Sequence, residues 1–219
     1  MKLSYLLGMA SALVVGAVSS AHAQCPANYE AMGERQFAQN GATYTVSLCW
    51  NPKATPSGTG GSLRVTAYQG EKPVAETMVP VDVEGMVVEI KFDGAGYPLS
   101  ATAPTFPVIV KARARGATFD QYTTDLWLFS LQASGLSKVF GENVSWESWG
   151  TQCEPECIDT TNTKTLVIIA PEKSAQGMHD LKLRQRGKTI PYGKSDKAAQ
   201  AIDQTTRYVF TGSQYEAAP

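Results

Sequence analysis

The chain of 219 residues carries 19 Lys+Arg against 20 Asp+Glu, a formal net charge of −1, with 43 % hydrophobic residues and a mean hydropathy of −0.18. That balance speaks against a dedicated nucleic-acid binder, which shows a basic excess, and against both a disordered chain and a multi-span membrane protein. The length suits one domain or two small ones, with enough chain to bury a core without a metal staple.

The chain opens with Lys2, an apolar stretch over 3–18 and then Ser19-Ser20-Ala21-His22-Ala23. Charge, apolar run and A-x-A site follow one another as in a secretory signal peptide, so cleavage is expected after Ala23, with residues 1–23 removed. Gly8, Gly16 and several Ser and Ala dilute the apolar stretch, which falls short of the ~20 strongly apolar residues of a membrane anchor. His22-Ala23-Gln24 ahead of Cys25 does not resemble the lipobox of bacterial lipoproteins. The expected location is therefore the periplasm or the medium, with no stable membrane insertion after signal removal.

Four cysteines, Cys25, Cys49, Cys153 and Cys157, suit two disulfides in an oxidising compartment, and three pairings are open. Pairing neighbours in the chain gives Cys25 with Cys49 and Cys153 with Cys157, worth roughly 3.5 and 2 kcal/mol by loop-closure entropy. A zinc site is disfavoured because only Cys153 and Cys157 have ligand-like spacing, and three residues rather than two separate them, unlike a C-x-x-C redox motif. No metal and no cofactor is expected.

From residue 42 the text alternates, Thr43, Thr45 and Ser47 against Tyr44, Val46 and Leu48, which is the period of a half-buried strand. Similar runs at 63–68, 73–83, 86–92, 106–115, 123–131, 136–140, 164–169, 180–186 and 207–211 also predict strands, punctuated by Gly, Pro, Asn and Asp. About ten short strands predict an all-β fold, an antiparallel β-sandwich or open barrel. One short surface helix is expected over 195–203, where Ser195 offers a cap and Asp196 complements the helix dipole. Hairpins are expected with bends at Gly135 and at Gly212-Ser213; they resemble aromatic strand-turn-strand units of exported bacterial β proteins. Two irregular stretches stand out, 51–61 and 150–163. The second suggests a main β domain over 24–150 and a β-rich extension over 151–219 packed on it, either as a separate unit or as part of the same domain.

With the signal removed, His179 is the only histidine, so at most one His-based catalytic device or metal ligand is available. The G-x-S-x-G, H-E-x-x-H, Walker A and dinucleotide-binding patterns are all missing, and no catalytic residue is assigned. Carboxylate chemistry needs only two acids, and Glu142, Glu147, Glu154, Glu156 and Asp159 gather around Trp146 and Trp149. Trp146, Glu147 and Trp149 are therefore candidates for binding, although tryptophans three apart on an extended strand face opposite ways. Lys111, Arg113 and Arg115 alternate with Val110, Ala112 and Ala114, and Lys182, Arg184 and Arg186 alternate with Leu181 and Leu183, so each triplet should project from one strand face. Brought together, the six cations would meet an acidic cleft; apart, cross-strand acids would balance them.

These features predict an exported envelope binding protein that is more a recogniser than an enzyme, with another envelope or secreted protein as its partner. In outline it is similar to bacterial lysozyme inhibitors, which implies inhibition of a cell-wall hydrolase. The alternatives are a carboxylate-dependent glycoside hydrolase or sugar-binding protein centred on Glu147, and a structural component of the envelope.

Overall fold

The computed structural model describes residues 25–39, 41–53, 60–153, 157–174 and 176–219, and leaves the side chains of Gln152, Cys153 and Cys157 outside that description. The expected signal segment and the middle of the 51–61 stretch lie outside the described residues. Among the described residues twelve strands form two antiparallel sheets. The smaller contains β1 (Glu30–Gln39), β2 (Ala42–Lys53), β3 (Gly60–Gln69) and β4 (Lys72–Val81) in chain order. The larger runs β12-β11-β10-β9-β8-β7-β6-β5, from β5 (Met86–Phe92), β6 (Thr105–Arg115), β7 (Phe119–Gln132) and β8 (Gly135–Cys153) to β9 (Cys157–Lys173), β10 (His179–Pro191), β11 (Gln200–Phe210) and β12 (Tyr215–Ala217). The all-β, sandwich-like class read from the alternation is the observed one, and no closed barrel forms.

Alternation determines which faces are buried. On β2 and β3, Val46, Leu48, Trp50, Leu63, Val65 and Ala67 turn inward to meet Val108, Val110, Trp127 and Phe129 of the larger sheet. The other face of β7 carries Leu126 and Leu128, which pack with Phe140, Leu181, Leu183, Phe210 and Tyr215. The larger sheet thus folds back on itself, and β7 is buried on both faces. Between the sheets, the Gln39 amide donates to Thr105 O at 2.8 Å and accepts from Thr105 N at 2.9 Å.

Three expectations change. The surface helix is one 3-10 turn, Asp196–Ala198, with no side-chain cap from Ser195; from Gln200 the chain is strand β11, because Ile202, Thr205, Thr206 and Tyr208 pair along β10. The described parts of the 150–163 stretch are not irregular but lie on strands, 150–153 on β8 and 157–163 on β9, and β9–β12 continue the sheet built by β5–β8. Strand β1 was not anticipated: Met32 is an extra, bulged residue between Ala31 and Gly33, which breaks the period of two that would have betrayed the strand. Both hairpin bends fall where expected, with Gln132 opposite Gly135 and Phe210 opposite Tyr215.

Cys25 and Cys49 form a disulfide with Cα atoms 5.6 Å apart, which fastens the start of the described chain to β2. The backbone register sets Cys153 opposite Cys157 across the β8–β9 hairpin.

Candidate functional site

Register counting shows which sequence candidates share a surface. Lys111, Thr124, Ser145, Lys164, Arg186 and Asp203 stand opposite one another across β6 to β11. The next row on the same face reads Arg113, Tyr122, Glu147, Asn162, Lys188 and Ala201. Cross-strand partners point to the same side, so the basic triplets of β6 and β10 lie on one face of one sheet. Three strands intervene, and at ~4.8 Å per strand the triplets are about 19 Å apart. They do not form one six-cation cluster.

The charges are also largely compensated. Arg113 donates through Nε and Nη2 to the two Asp120 oxygens at 2.9 and 2.5 Å. Asp203 takes Arg184 at 3.0 Å and Arg186 at 3.5 Å, and Glu172 takes Lys182 at 3.5 Å. The arginine neighbours hold the Asp120 and Asp203 carboxyls below the ordinary carboxylate range. Among the described residues Lys111, Lys164 and Lys188 have no carboxylate at ion-pairing distance.

At the β6–β8 end the cations join aromatic rings. Lys111 Nζ lies 4.9 Å and the Arg113 guanidinium carbon 5.2 Å from the Tyr122 ring centroid, and Tyr122 meets Trp149 edge-on at 6.0 Å. Trp149 keeps 49 % of its surface in solvent. Arg115, at the end of β6, is exposed beside Asp120, which it faces across β7. Tyr122, which organises this cluster, escaped sequence reasoning because its value depends on its cross-strand partners. Trp146 is 37 % exposed but, three residues from Trp149 on the same strand, points to the opposite face, so the two tryptophans make no common platform.

Glu147 lies between Tyr122 and Asn162 on this face. Among the described residues the carboxyl diagonal to it by register is Asp120, which Arg113 holds below the ordinary range, the opposite of the raised acid that glycoside hydrolysis uses. His179 is fixed by backbone, its Nδ1 lying 2.8 Å from Ala170 O and its N–H donating to Leu99 O at 2.7 Å. Among the described residues no three His, Cys, Asp or Glu side chains gather as metal ligands.

A second feature lies at the centre of the same sheet. Pairing between β8 and β9 ends at Ser145 and Lys164, next to a bulge at Val144, and beyond it β9 continues on β10 alone. The two strands part around a cleft of about 530 Å³ lined by Ile109, Leu126, Val144, Val167 and Ile169, with Tyr97, Ser145 and Lys164 adding polar groups to the lining. The Tyr97 hydroxyl donates to Asp93 at 2.8 Å, and burial, then that bond, raises its pKa.

No protein-family model matches the chain, and no curated protein or solved structure shows a significant similarity to it.

Proposed function

We propose that this chain is an exported binding protein, acting in the periplasm or the medium, which recognises its partner through the open face of the larger sheet and performs no chemistry on it. The observation that carries the reading is the Lys111–Tyr122–Trp149 cluster. An exposed tryptophan, buttressed edge-on by a tyrosine and flanked by a lysine with no carboxylate at ion-pairing distance among the described residues, has the composition of an interface anchor. Among the described residues, the carboxyl diagonal to Glu147, Asp120, is held below the ordinary range rather than raised, which favours recognition over hydrolysis.

The partner class this surface suits is a cell-wall hydrolase. Glycan hydrolases carry two carboxylates in a cleft, and a half-exposed lysine held over an aromatic pair complements such a cleft in charge. The test is inhibition of a muramidase by the purified mature protein. Inhibition weakened at least tenfold by both Lys111→Ala and Trp149→Ala, with unchanged unfolding midpoints, supports the reading; undiminished inhibition by both variants overturns this face as the contact.

A second reading rests on Trp149 with its polar neighbours. One exposed ring beside Glu147 and Asn162 offers a stacking surface and hydrogen-bonding groups for a sugar. Retention of the protein on insoluble peptidoglycan, lost in Trp149→Ala but not in Lys111→Ala, would favour this glycan-binding version.

A further inference from the structure

The cleft between β8 and β9 is bounded by strand edge as well as by side chains. Four consecutive β9 residues, Lys164 to Val167, line it together with Ile169, although successive side chains of a strand point to opposite faces. Such a run can line one cavity only if the strand turns its edge toward it. From Thr165 onward no strand pairs with that edge among the described residues, while the opposite edge is bonded to β10 throughout. In an antiparallel pair every second residue directs its N–H and C=O away from its partner, so this stretch offers a row of unpaired backbone groups about 16 Å long, taking five residues at ~3.3 Å each. An open edge of this kind is a template for another strand.

Charge selects the occupant. Three cations, Lys164, Arg184 and Arg186, stand around Leu166 at the mouth with a single carboxylate, Asp203, among them. Leu166 is 62 % exposed, and Ile168, two residues on and on the same side of β9, is 39 % exposed, so the mouth has an apolar edge beside its cations. Asp93 also lines the cleft but accepts the Tyr97 hydroxyl at 2.8 Å, whereas Lys164 has no carboxylate at ion-pairing distance among the described residues.

We infer that the β9 edge binds an extended peptide segment of a partner protein by strand addition, with an apolar side chain entering the Ile109–Leu126 floor and an acidic residue meeting Lys164. Main-chain pairing supplies the affinity and the alternate side chains the specificity. This goes beyond the reading above: it concerns an edge rather than the face bearing Trp149, and it stands or falls whatever that face binds.

The experiment uses the mature protein and three fluorescent peptides of alternating valine and threonine, one ending in two glutamates, one ending in two lysines, and one acidic but N-methylated at alternate amides. Anisotropy should show the acidic peptide binding at least tenfold tighter than the basic one, and the N-methylated peptide losing at least tenfold because it cannot pair along the strand. Lys164→Glu, an exposed substitution that leaves the core untouched, should reverse the preference between acidic and basic ends. Amide exchange at Thr165–Ile169 should slow on binding, while Trp149→Ala should leave the titration unchanged. Absence of binding by the acidic peptide at millimolar concentration overturns the inference. Equal binding of the N-methylated peptide overturns strand addition, and binding that disappears as the chain dimerises with rising concentration makes a second copy the occupant.

Discussion

Asp180 on β10 is 2 % exposed, and its Oδ2 accepts from Nε and Nη2 of Arg207 at 3.0 and 2.6 Å while its Oδ1 has no partner. A buried carboxylate leaning on one half-exposed guanidinium is sensitive to its loss. Arg207→Ala should therefore lower the urea midpoint, and Asp180→Asn introduced into that variant should recover part of the loss. Glu142 behaves differently. Burial raises its carboxyl pKa, with the Asp125 charge adding and the Tyr208 hydrogen bond opposing. A raised carboxyl is ionised in the unfolded chain before it is in the folded one, so as pH climbs from the ordinary value near ~4.3 through the raised one, stability falls. Asp120 and Asp203, lowered by their arginines, have the opposite sign: their contribution is present above the ordinary range and lost on acidification. Glu142→Gln should shrink the decline on the neutral side, to which Asp125, also raised by burial, contributes with the same sign, and leave the acid limb intact, as urea titrations at successive pH values would show. Tyr208, pushed up to about 12 by burial and then by the Glu142 charge, should titrate lower in the same variant by ultraviolet absorbance.

Strand by strand, the period of two revealed at least part of β2 to β11, though only 136–140 of β8, 164–169 of β9 and 207–211 of β11. It failed where a bulge shifted the phase, as at Met32 on β1, and where the text turned polar, as at the tip of the β8–β9 hairpin. There Thr160, Thr161 and Thr163 are strand residues whose pairing with Trp149, Ser148 and Trp146 makes up for their weak pattern. The helix expected at 195–203 rested on one good cap position and an Ala-rich text; pairing along β10 outweighs those weak local terms. The Cys25–Cys49 bond ties the start of the described chain to β2, closing a loop of 24 residues. Replacing both cysteines by serine should cost about 3 kcal/mol of unfolding free energy, as expected for a loop of this length, with the β-sheet circular dichroism of the native protein retained.

Across the whole molecule, β7 joins two cores. Phe129 faces the four-stranded sheet and Leu128 the folded-back half of the larger one, both with no exposed surface. Phe129→Ala and Leu128→Ala should each cost about 3 kcal/mol through lost burial and the cavity left behind. Tryptophan fluorescence and circular dichroism should report coincident unfolding in both variants, because neither core can open without disturbing the strand they share. The candidate surfaces depend on the same organisation. Alternation alone put Lys111 and Arg113 on one face, and Lys182, Arg184 and Arg186 on one face, because side-chain direction along a strand is a local property fixed by backbone geometry. Neither the three strands between the triplets, nor the Tyr122 ring beneath Lys111, nor the cleft where β9 leaves β8 could be read there. Strand order and the place where two strands stop pairing are set by long-range packing of the two cores, and a one-dimensional pattern carries no information about which distant strand becomes a neighbour.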